Sequence, residues 1–396
     1  MRALPPEEAV GGARGNPPGA PGTAGPGQIP EHHPNHSRTP AHHSGGSNER
    51  SHPPGVPVTA NTPLTSHEIH LASRPTGTPT PENFRLVRAE VPEPGPGQIL
   101  VRNTWMSVDP YMRGRMDDAE SYIPPFALDA PLEGGAVGEV VASRAGSVPV
   151  GATVSHFLGW REYAVLDADS ATVVDTRRVP ARAHLGILGT PGLTAYVALT
   201  ETAPVRPGDT VYVSAAAGAV GSAAGQIARR LGATTVIGSA GGAAKTHALT
   251  EDFGFDTALD YRTAPIGEQL AKAAPDGIDV YVDNVGGDHL EAALDALRVN
   301  GRVAAVGAIS GYNAVEPAPG PRNLYHVVTK RLSLRGVLVS DHYHRFPEYL
   351  DRASGWLADG TLRTRETVLD GIERAPEALL GVLGGANTGK MLVRLG

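Results

Sequence analysis

A glycine-containing turn between an apolar strand and a helix is the segment best suited to hold a charged ligand. Residues 211–221 have the sequence VYVSAAAGAVG, and Ala216, Gly218 and Gly221 occupy the three positions of the G-x-G-x-x-G pattern. Gly218 has no Cβ, so a pyrophosphate can approach its backbone at the positive end of the helix, and Gly221 lets the helix lie close to the strand. The turn, including Ala219 and Val220, therefore predicts dinucleotide binding.

The strand that follows this turn predicts which dinucleotide binds. Folds that prefer NAD place an acidic residue about 20 residues beyond the loop, where it accepts from the ribose 2′-hydroxyl. Here the strand predicted over 234–237 is followed by the turn 238–242, which has no acid, and by Lys245. The hydroxyl of Ser239 and the ammonium of Lys245 can both donate to a 2′-phosphate. We therefore expect NADP(H) as the cofactor.

The residue types also limit metal chemistry. The chain of 396 residues contains no cysteine, and neither His156 nor His184 has a partner at a spacing typical of metal ligands. Alcohol oxidation assisted by a cysteine-ligated zinc is therefore excluded, and no metal site is predicted.

Alternating strands and helices surround the turn. Predicted strands cover 210–214, 234–237, 258–261, 278–282, 302–306 and 332–339, and predicted helices cover 194–201, 220–231, 243–253, 266–273 and 289–297. Short, apolar strands are typical of a parallel sheet covered on both faces. The alternation predicts an α/β fold with a doubly wound, Rossmann-type sheet.

The segments on either side have a different character. Strand-like stretches at 84–87, 98–101, 134–141 and 151–154 indicate a small antiparallel β domain, which the stretches at 367–369 and 391–393 are expected to rejoin. Residues 1–65 are rich in Pro, Gly and His and contain no aromatic residue, so we expect a disordered, low-complexity tail. The net charge of −7 argues against nucleic acid as a partner, and the uncharged run 211–228 is too rich in Ala, Gly and Ser to span a membrane.

Six runs in the sequence carry a family resemblance. They are SVDPYMRGRM at 107–116, GLTAY at 192–196, the turn at 215–221, VDNVGG at 282–287, GAISGYN at 307–313 and NTGK at 387–390. Together they resemble the medium-chain dehydrogenase/reductases, specifically the zinc-independent, NADP-dependent alkenal and prostaglandin (leukotriene) double-bond reductases. The resemblance implies a GroES-like β-barrel substrate domain at 66–187, a Rossmann NADP-binding domain at 188–340, and a segment at 341–396 that rejoins the substrate domain. It also implies a homodimer. The absence of cysteine fits a reducing compartment, so we expect a cytoplasmic protein.

The resemblance extends to single positions. It implies that the cofactor contacts the Gly218–Gly221 turn, Lys245 and further residues at or after strand ends, which are Tyr261, Asn284, Val306, Gly307, Ala308, Ile309, Ser310, Tyr312, Val337, Leu338, Val339 and Asn387. For Asn284 and Asn387 a role in holding a turn stays open.

Two tyrosines are the candidates for chemistry. An α,β-unsaturated aldehyde or ketone can take hydride at its β-carbon without a strong Lewis acid, but the enolate that forms needs a hydrogen bond and then a proton. A neutral phenol can provide both. Tyr312 matches a family tyrosine at the nicotinamide end, and Tyr111 is the candidate for binding the substrate carbonyl. Two alternatives stay open: an NADPH quinone reductase, and an NADP-binding interaction module without turnover.

Overall fold

The computed structural model of the protein describes residues 63–177 and 179–396. The low-complexity tail predicted at residues 1–65 lies outside the described residues up to position 62. Thr65 is already the first residue of the first strand. No helix of the described ranges is long and apolar enough to cross a membrane.

The long strand β3 lies in the middle of a mostly antiparallel sheet. Strands β1 and β2 form a separate ribbon, and β3 pairs with β4, β6 and β15, while β4 continues to β5 and β7. The bounds in this part of the chain are β1 Thr65–Leu71, β2 Phe84–Glu90, β3 Gln98–Ser107, helix α1 Met112–Arg115, β4 Ala136–Ser143, β5 Thr153–His156, β6 Tyr163–Asp167 and β7 Thr172–Val173.

The central part of the chain forms a parallel sheet. Its strands are β8 Thr210–Val213, β9 Thr235–Ala240, β10 Thr257–Asp260, β11 Ile278–Asp283, β12 Leu297–Ala305 and β13 Ser333–Gly336. They lie in the order β10-β9-β8-β11-β12-β13. In this order the chain moves outward from β8 in one direction and then returns to continue in the other, which is the doubly wound arrangement. The predicted α/β fold class is confirmed.

Helices cover the parallel sheet and complete the chain. They are α2 Thr190–Val197, α3 Ala219–Arg230, α4 Ala243–Glu251, α5 Ile266–Ala273, α6 Gly287–Ala296, α7 His326–Thr329, α8 Phe346–Ala358 and α9 Ala375–Leu383. Helix α5 has the predicted bounds. Helix α2 begins at Thr190 rather than at 194, because Pro191 fits the first helical turn, where its missing amide proton is not needed.

The C-terminal strands lie in the sheet around β3. Strand β14 (Glu366–Asp370) pairs in parallel with β15 (Lys390–Arg394), and β15 pairs antiparallel with β3. The predicted domain boundaries at 66, 188 and 341 stay predictions.

Two glycines allow helix α3 to pack closely on the sheet. A Cβ at Gly221 would lie 2.6 Å from the Cα of Ala216, and a Cβ at Gly225 would overlap the ring of Phe255. The same ring covers Gly238 of β9, so one aromatic side chain fills the space left by two glycines. The residues lining this contact are fully buried or nearly so, which fixes the start of α3 against the end of β8.

Candidate functional site

A cleft of about 2250 Å³ opens at the carboxyl ends of the parallel strands and continues to the loop that follows β3. Ala240, Asn284, Val306 and Val337 lie at or directly after the ends of four strands, and all of them line it. In open α/β sheets this edge is where ligands bind. Every predicted site residue lines the cleft except Ser239 and Ala308.

The turn between β8 and α3 forms the floor of the cleft. Gly218 is the residue before the first helical turn, its backbone is extended, and no side chain caps the amides that follow. Uncapped amides at the start of a twelve-residue helix are a suitable site for an anion. A Cβ at Gly221 would overlap the backbone of Ala215 and Ala216, so only glycine there lets the first turn of α3 pack this closely on the turn.

Lys245 lines the end of the cleft beside β9, and a second cation, Arg262, lies close to it outside the lining. The Lys245 ammonium donates to the carbonyl of Gly385 at 2.7 Å, and burial, together with the charge of Arg262, lowers its pKa. The Arg262 guanidinium and the Tyr261 hydroxyl both lie over Gly241, where a Cβ would be 2.8 Å from the arginine Nε. The nearby carboxylate of Asp260 accepts from the backbone amides of Gly242 and Arg262. This corner can hold a phosphate.

Arg262 is a residue that sequence reasoning missed. It follows β10, and only the pairing of β10 with β9 brings it to the turn after β9. The strand order of a doubly wound sheet, applied to the predicted strands, could have placed the residue after β10 beside the turn after β9.

Ser239, predicted to donate to the cofactor, lies outside the lining of the cleft. Strand β9 extends to Ala240, so Ser239 lies within the sheet rather than in a turn and is fully buried. Its hydroxyl accepts a hydrogen bond from Tyr212 at 2.9 Å. Ala308, the other predicted residue outside the cleft, instead donates its backbone amide to the Tyr312 hydroxyl at 3.3 Å.

The two asparagines hold turns at the cleft wall. The Asn284 side-chain nitrogen donates to the Ser214 carbonyl at 2.7 Å, and that of Asn387 donates to the Gly389 carbonyl at 2.7 Å. The carboxamide oxygen of each is therefore the atom that can accept from a ligand.

Tyr312 lies next to the backbone after β12. Its hydroxyl accepts from the amide of Ala308 and lies so close to Gly307 that a Cβ there would be 2.9 Å away. Because this contact uses the oxygen as an acceptor, the phenolic proton stays free to be donated into the cleft.

Tyr111 faces the cleft from the other side, in the loop after β3. Its ring stacks on Phe157 with centroids 6.5 Å apart, and its hydroxyl is buried with no hydrogen-bond partner among the described residues. Burial, and next the charge of Asp109, raise the pKa of this phenol well above its usual value. It is therefore a neutral donor at physiological pH, and its proton has no acceptor within the described chain.

Two further tyrosines, both missed from the sequence, line the same part of the cleft. Tyr122 is 61% exposed and Tyr343 is 50% exposed. Burial of part of the ring, followed by the proximity of Tyr312, raises the pKa of Tyr122. The cleft thus joins the Gly218–Gly221 turn to a group of tyrosine side chains.

The described residues do not assemble a metal site. Within 63–177 and 179–396 no group of three or more His, Asp or Glu side chains is placed to hold a metal ion. His156, which lines the cleft, has its Nε2 2.8 Å from the Asn103 side-chain oxygen and accepts from the amide of Leu158 at Nδ1. Burial lowers its pKa to about 4, so the ring is neutral at physiological pH.

Comparison with known proteins gives the family. Residues 67–174 match the family described as the N-terminal domain of oxidoreductase, and residues 219–355 match the zinc-binding dehydrogenase family. The NADPH-dependent curcumin reductase of Escherichia coli is 41% identical over 330 residues, which are 82% of this chain and 95% of that protein. The NADP⁺-dependent 2-alkenal reductase of Nicotiana tabacum is 38% identical over 337 residues, 83% of this chain and 97% of the tobacco protein.

A solved structure agrees with these relatives. The crystal structure of CurA in complex with NADPH from Vibrio vulnificus matches with a TM-score of 0.80 and 40% identity, over 83% of this chain and 99% of that one. The chain therefore belongs, as its motifs predicted, to the medium-chain dehydrogenase/reductase family and to the NADP-dependent alkenal and prostaglandin double-bond reductases within it.

Proposed function

We propose that the protein uses NADPH to reduce the carbon–carbon double bond of α,β-unsaturated aldehydes and ketones without a metal. The observation that carries this proposal is the buried hydroxyl of Tyr111, which has no hydrogen-bond partner in the described part of the chain and lies in the cleft that also contains the Gly218–Gly221 turn. A donor with no acceptor of its own fits a ligand that brings an oxygen atom to it.

The residues of the cleft fit NADP(H). The Gly218–Gly221 turn offers amides and an open backbone to the pyrophosphate, and Lys245 and Arg262 offer positive charge to the 2′-phosphate. Asn387 lines the same cleft, and its side-chain nitrogen is engaged by the Gly389 carbonyl. When bound, NADPH supplies the hydride that adds to the β-carbon of the substrate.

The tyrosines stabilise the charge that develops on the substrate. As the β-carbon gains hydride, the electron pair of the double bond moves toward the carbonyl and leaves negative charge on its oxygen. The neutral Tyr111 hydroxyl donates a hydrogen bond to that oxygen, and burial makes such a bond stronger than in water. Tyr312 orients the ribose next to the nicotinamide and gives a proton to the α-carbon directly or through water. The product is the saturated carbonyl compound.

A screen of NADPH oxidation over enals, enones and quinones, with mass spectrometry of the products, tests the proposal. We expect saturated aldehydes and ketones, and a lower kcat/KM for enones in Tyr111→Phe and Tyr312→Phe. Tyr325→Phe is the matched control, because Tyr325 lies directly before α7, is 73% exposed and is outside the cleft. Hydroquinone as the sole product would make the protein a quinone reductase. Binding of NADPH without its oxidation by any compound would make it an interaction module.

We also propose that two copies pair through the edge of the parallel sheet. Strand β13 is one of the two edge strands of this sheet, all four of its residues are exposed, and Leu334 presents 40% of its surface. Tyr325, directly before α7, and Val328 of α7 are 73% and 66% exposed. An open strand edge beside apolar side chains is suited to pairing with a second strand.

Light scattering at known protein concentration tests the pairing. We expect a dimer that Val328→Asp converts to a monomer, whereas Val150→Asp, at a 62% exposed position in the turn before β5, leaves it unchanged. A monomeric wild-type protein would refute the proposal.

A further inference from the structure

A buried ion pair connects the C-terminal strand to the loop that carries Tyr111. Lys390, the first residue of β15, is 3% exposed, and its ammonium lies 2.9 Å from a carboxylate oxygen of Asp109. The same ammonium donates to the carbonyls of Val108 at 2.7 Å and Met391 at 2.9 Å. All three of its protons therefore have acceptors, and two of the acceptors belong to the loop after β3.

The carboxylate is held from its other side as well. Its second oxygen accepts a hydrogen bond from the hydroxyl of Ser107, the last residue of β3. The backbone carbonyl of Asp109 accepts from the amide of Met112, so Asp109 also fixes the turn in which Tyr111 lies. The position of the Tyr111 ring thus depends on a side chain only two residues away that cannot move independently of Lys390.

The segment just before Lys390 contacts the dinucleotide turn. The amide of Gly389 donates to the carbonyl of Ala217 at 2.7 Å, and Gly389 forms a β-bridge with Gly218. Gly389 has a φ of +70°, and a Cβ there would overlap the backbone of Arg365, so this approach requires glycine. Two consecutive residues therefore reach both walls of the cleft: Gly389, directly before β15, contacts the Gly218–Gly221 turn, and Lys390, its first residue, contacts the Tyr111 loop.

Stabilisation of the fold does not by itself explain the buried Lys390–Asp109 ion pair. Removing two charges from water costs several kcal/mol per ion, and apolar residues of the same volume frequently stabilise a fold as well or better. A buried pair that joins the two walls of the cleft can instead fix the distance between donor and cofactor, to which reaction rates are sensitive.

We propose that Lys390 and Asp109 are positioning residues, which hold the Tyr111 hydroxyl at a fixed place relative to the Gly218–Gly221 turn. The inference rests on the proposed function, because it concerns the donor to the substrate carbonyl. Lys390 and Asp109 both line the cleft. Because the Lys390 ammonium is buried and all three of its protons have acceptors in the protein, we assign its effect to Asp109 and the loop rather than to a hydrogen bond with the substrate.

The test removes both charges together. In Lys390→Met/Asp109→Asn no buried charge is left unpaired, so we expect thermal stability near that of the wild type, whereas Lys390→Met alone is destabilised. If the pair positions Tyr111, kcat for an enone falls about 10- to 100-fold in the double variant. The dissociation constant for NADPH, measured by fluorescence, stays near the wild-type value.

A double-mutant cycle on kcat then identifies the group through which the pair acts. Adding Tyr111→Phe to the double variant lowers kcat by much less than it does in the wild type, because the hydroxyl is already misplaced. A stable double variant with wild-type kcat would overturn the inference, and so would a loss that is fully additive with Tyr111→Phe. If the double variant does not fold, the same cycle is run with Ser107→Ala, with the same two outcomes.

A second buried ion pair is the matched control. Arg302 and Asp209 are 2.6 Å apart near the amino end of β8, and neither lines the cleft. We expect Arg302→Met/Asp209→Asn to leave kcat unchanged. A wild-type protein that reduces no enone would refute the proposed function, whereas an active wild type with an equally active Lys390→Met/Asp109→Asn variant refutes only this inference.

Discussion

Replacing Lys245 with alanine tests how the cleft distinguishes NADPH from NADH. The ammonium of Lys245 lines the cleft, is partly buried, and has one neutral partner, the carbonyl of Gly385 at 2.7 Å. Its neighbour Arg262 repels it, which is one of the two causes that lower its pKa. A dianionic phosphate at this corner would relieve that repulsion and accept a hydrogen bond from each cation.

The size of the effect follows from one lost charged hydrogen bond. Such a bond contributes about 1.5–3 kcal/mol, and each 1.4 kcal/mol is a factor of about ten in Kd. Because Arg262 remains, we expect the lower half of this range, a rise of about 10- to 30-fold in the Kd for NADPH. NADH has no 2′-phosphate, so its Kd changes little. Lys245→Ala/Arg262→Ala is expected to bring the two constants close together.

Fluorescence titration of each variant with both cofactors measures these constants. Lys272→Ala is the control, since Lys272 is an exposed lysine of α5 outside the cleft. The advantage of NADPH in the wild type is also expected to shrink as salt is added, because the contact is electrostatic. The reasoning is refuted if Lys245→Ala weakens NADH and NADPH equally, or leaves both unchanged.

Three further predictions follow from close packing and burial. Gly221→Ala places a Cβ 2.6 Å from the Cα of Ala216, so we expect α3 to shift, NADPH affinity to fall and thermal unfolding to show a loss of about 1–3 kcal/mol. Gly225→Ala is expected to cost about 1–3 kcal/mol because of the Phe255 ring, and less in a Phe255→Leu background; equal costs in both would contradict this. Burial lowers the pKa of His156 to about 4, below the value of about 6.5 in the unfolded chain, so the unfolded state takes up the proton first as the pH falls. The contribution of His156 to the free energy of unfolding should therefore decrease by about 3 kcal/mol as the pH falls from 6.5 to 4, and change no further at lower pH. Urea unfolding of His156→Gln should lack this decrease.

The features that could be predicted from the sequence depend on contacts between residues near in the chain. The turn 215–221 combines an apolar strand, small residues and a helix within a dozen positions, and the structure has these elements at the expected places. The extent of β9 was not predicted, because Gly238 and Ser239 favour a turn by their residue type. In the structure the Phe255 ring covers Gly238 and Tyr212 bonds Ser239, so tertiary packing extends the strand.

The features that could not be predicted depend on residues distant in the chain. Arg262 reaches the end of β9 only through the order of strands in the sheet. Tyr122 and Tyr343 come from irregular segments more than 200 positions apart, and no periodicity relates them to the cleft. Lys390 was noted only as the end of a family motif, and its burial against Asp109 requires the return of β15 to β3.

Polarising the substrate carbonyl with a neutral phenol, rather than with a metal ion, limits which substrates the protein can reduce. A hydrogen bond to a carbonyl oxygen withdraws less charge than a cationic Lewis acid does, so it suits a reaction in which the substrate's own conjugation already makes the β-carbon electron-poor. An isolated ketone has no such conjugation, and hydride would have to add to the carbonyl carbon itself. The raised pKa of Tyr111 also makes it a weak acid, which favours hydrogen bonding to an enolate oxygen over complete proton transfer. The same cleft is therefore expected to reduce enones while leaving saturated ketones unchanged, and the selectivity comes from the limited strength of its donors.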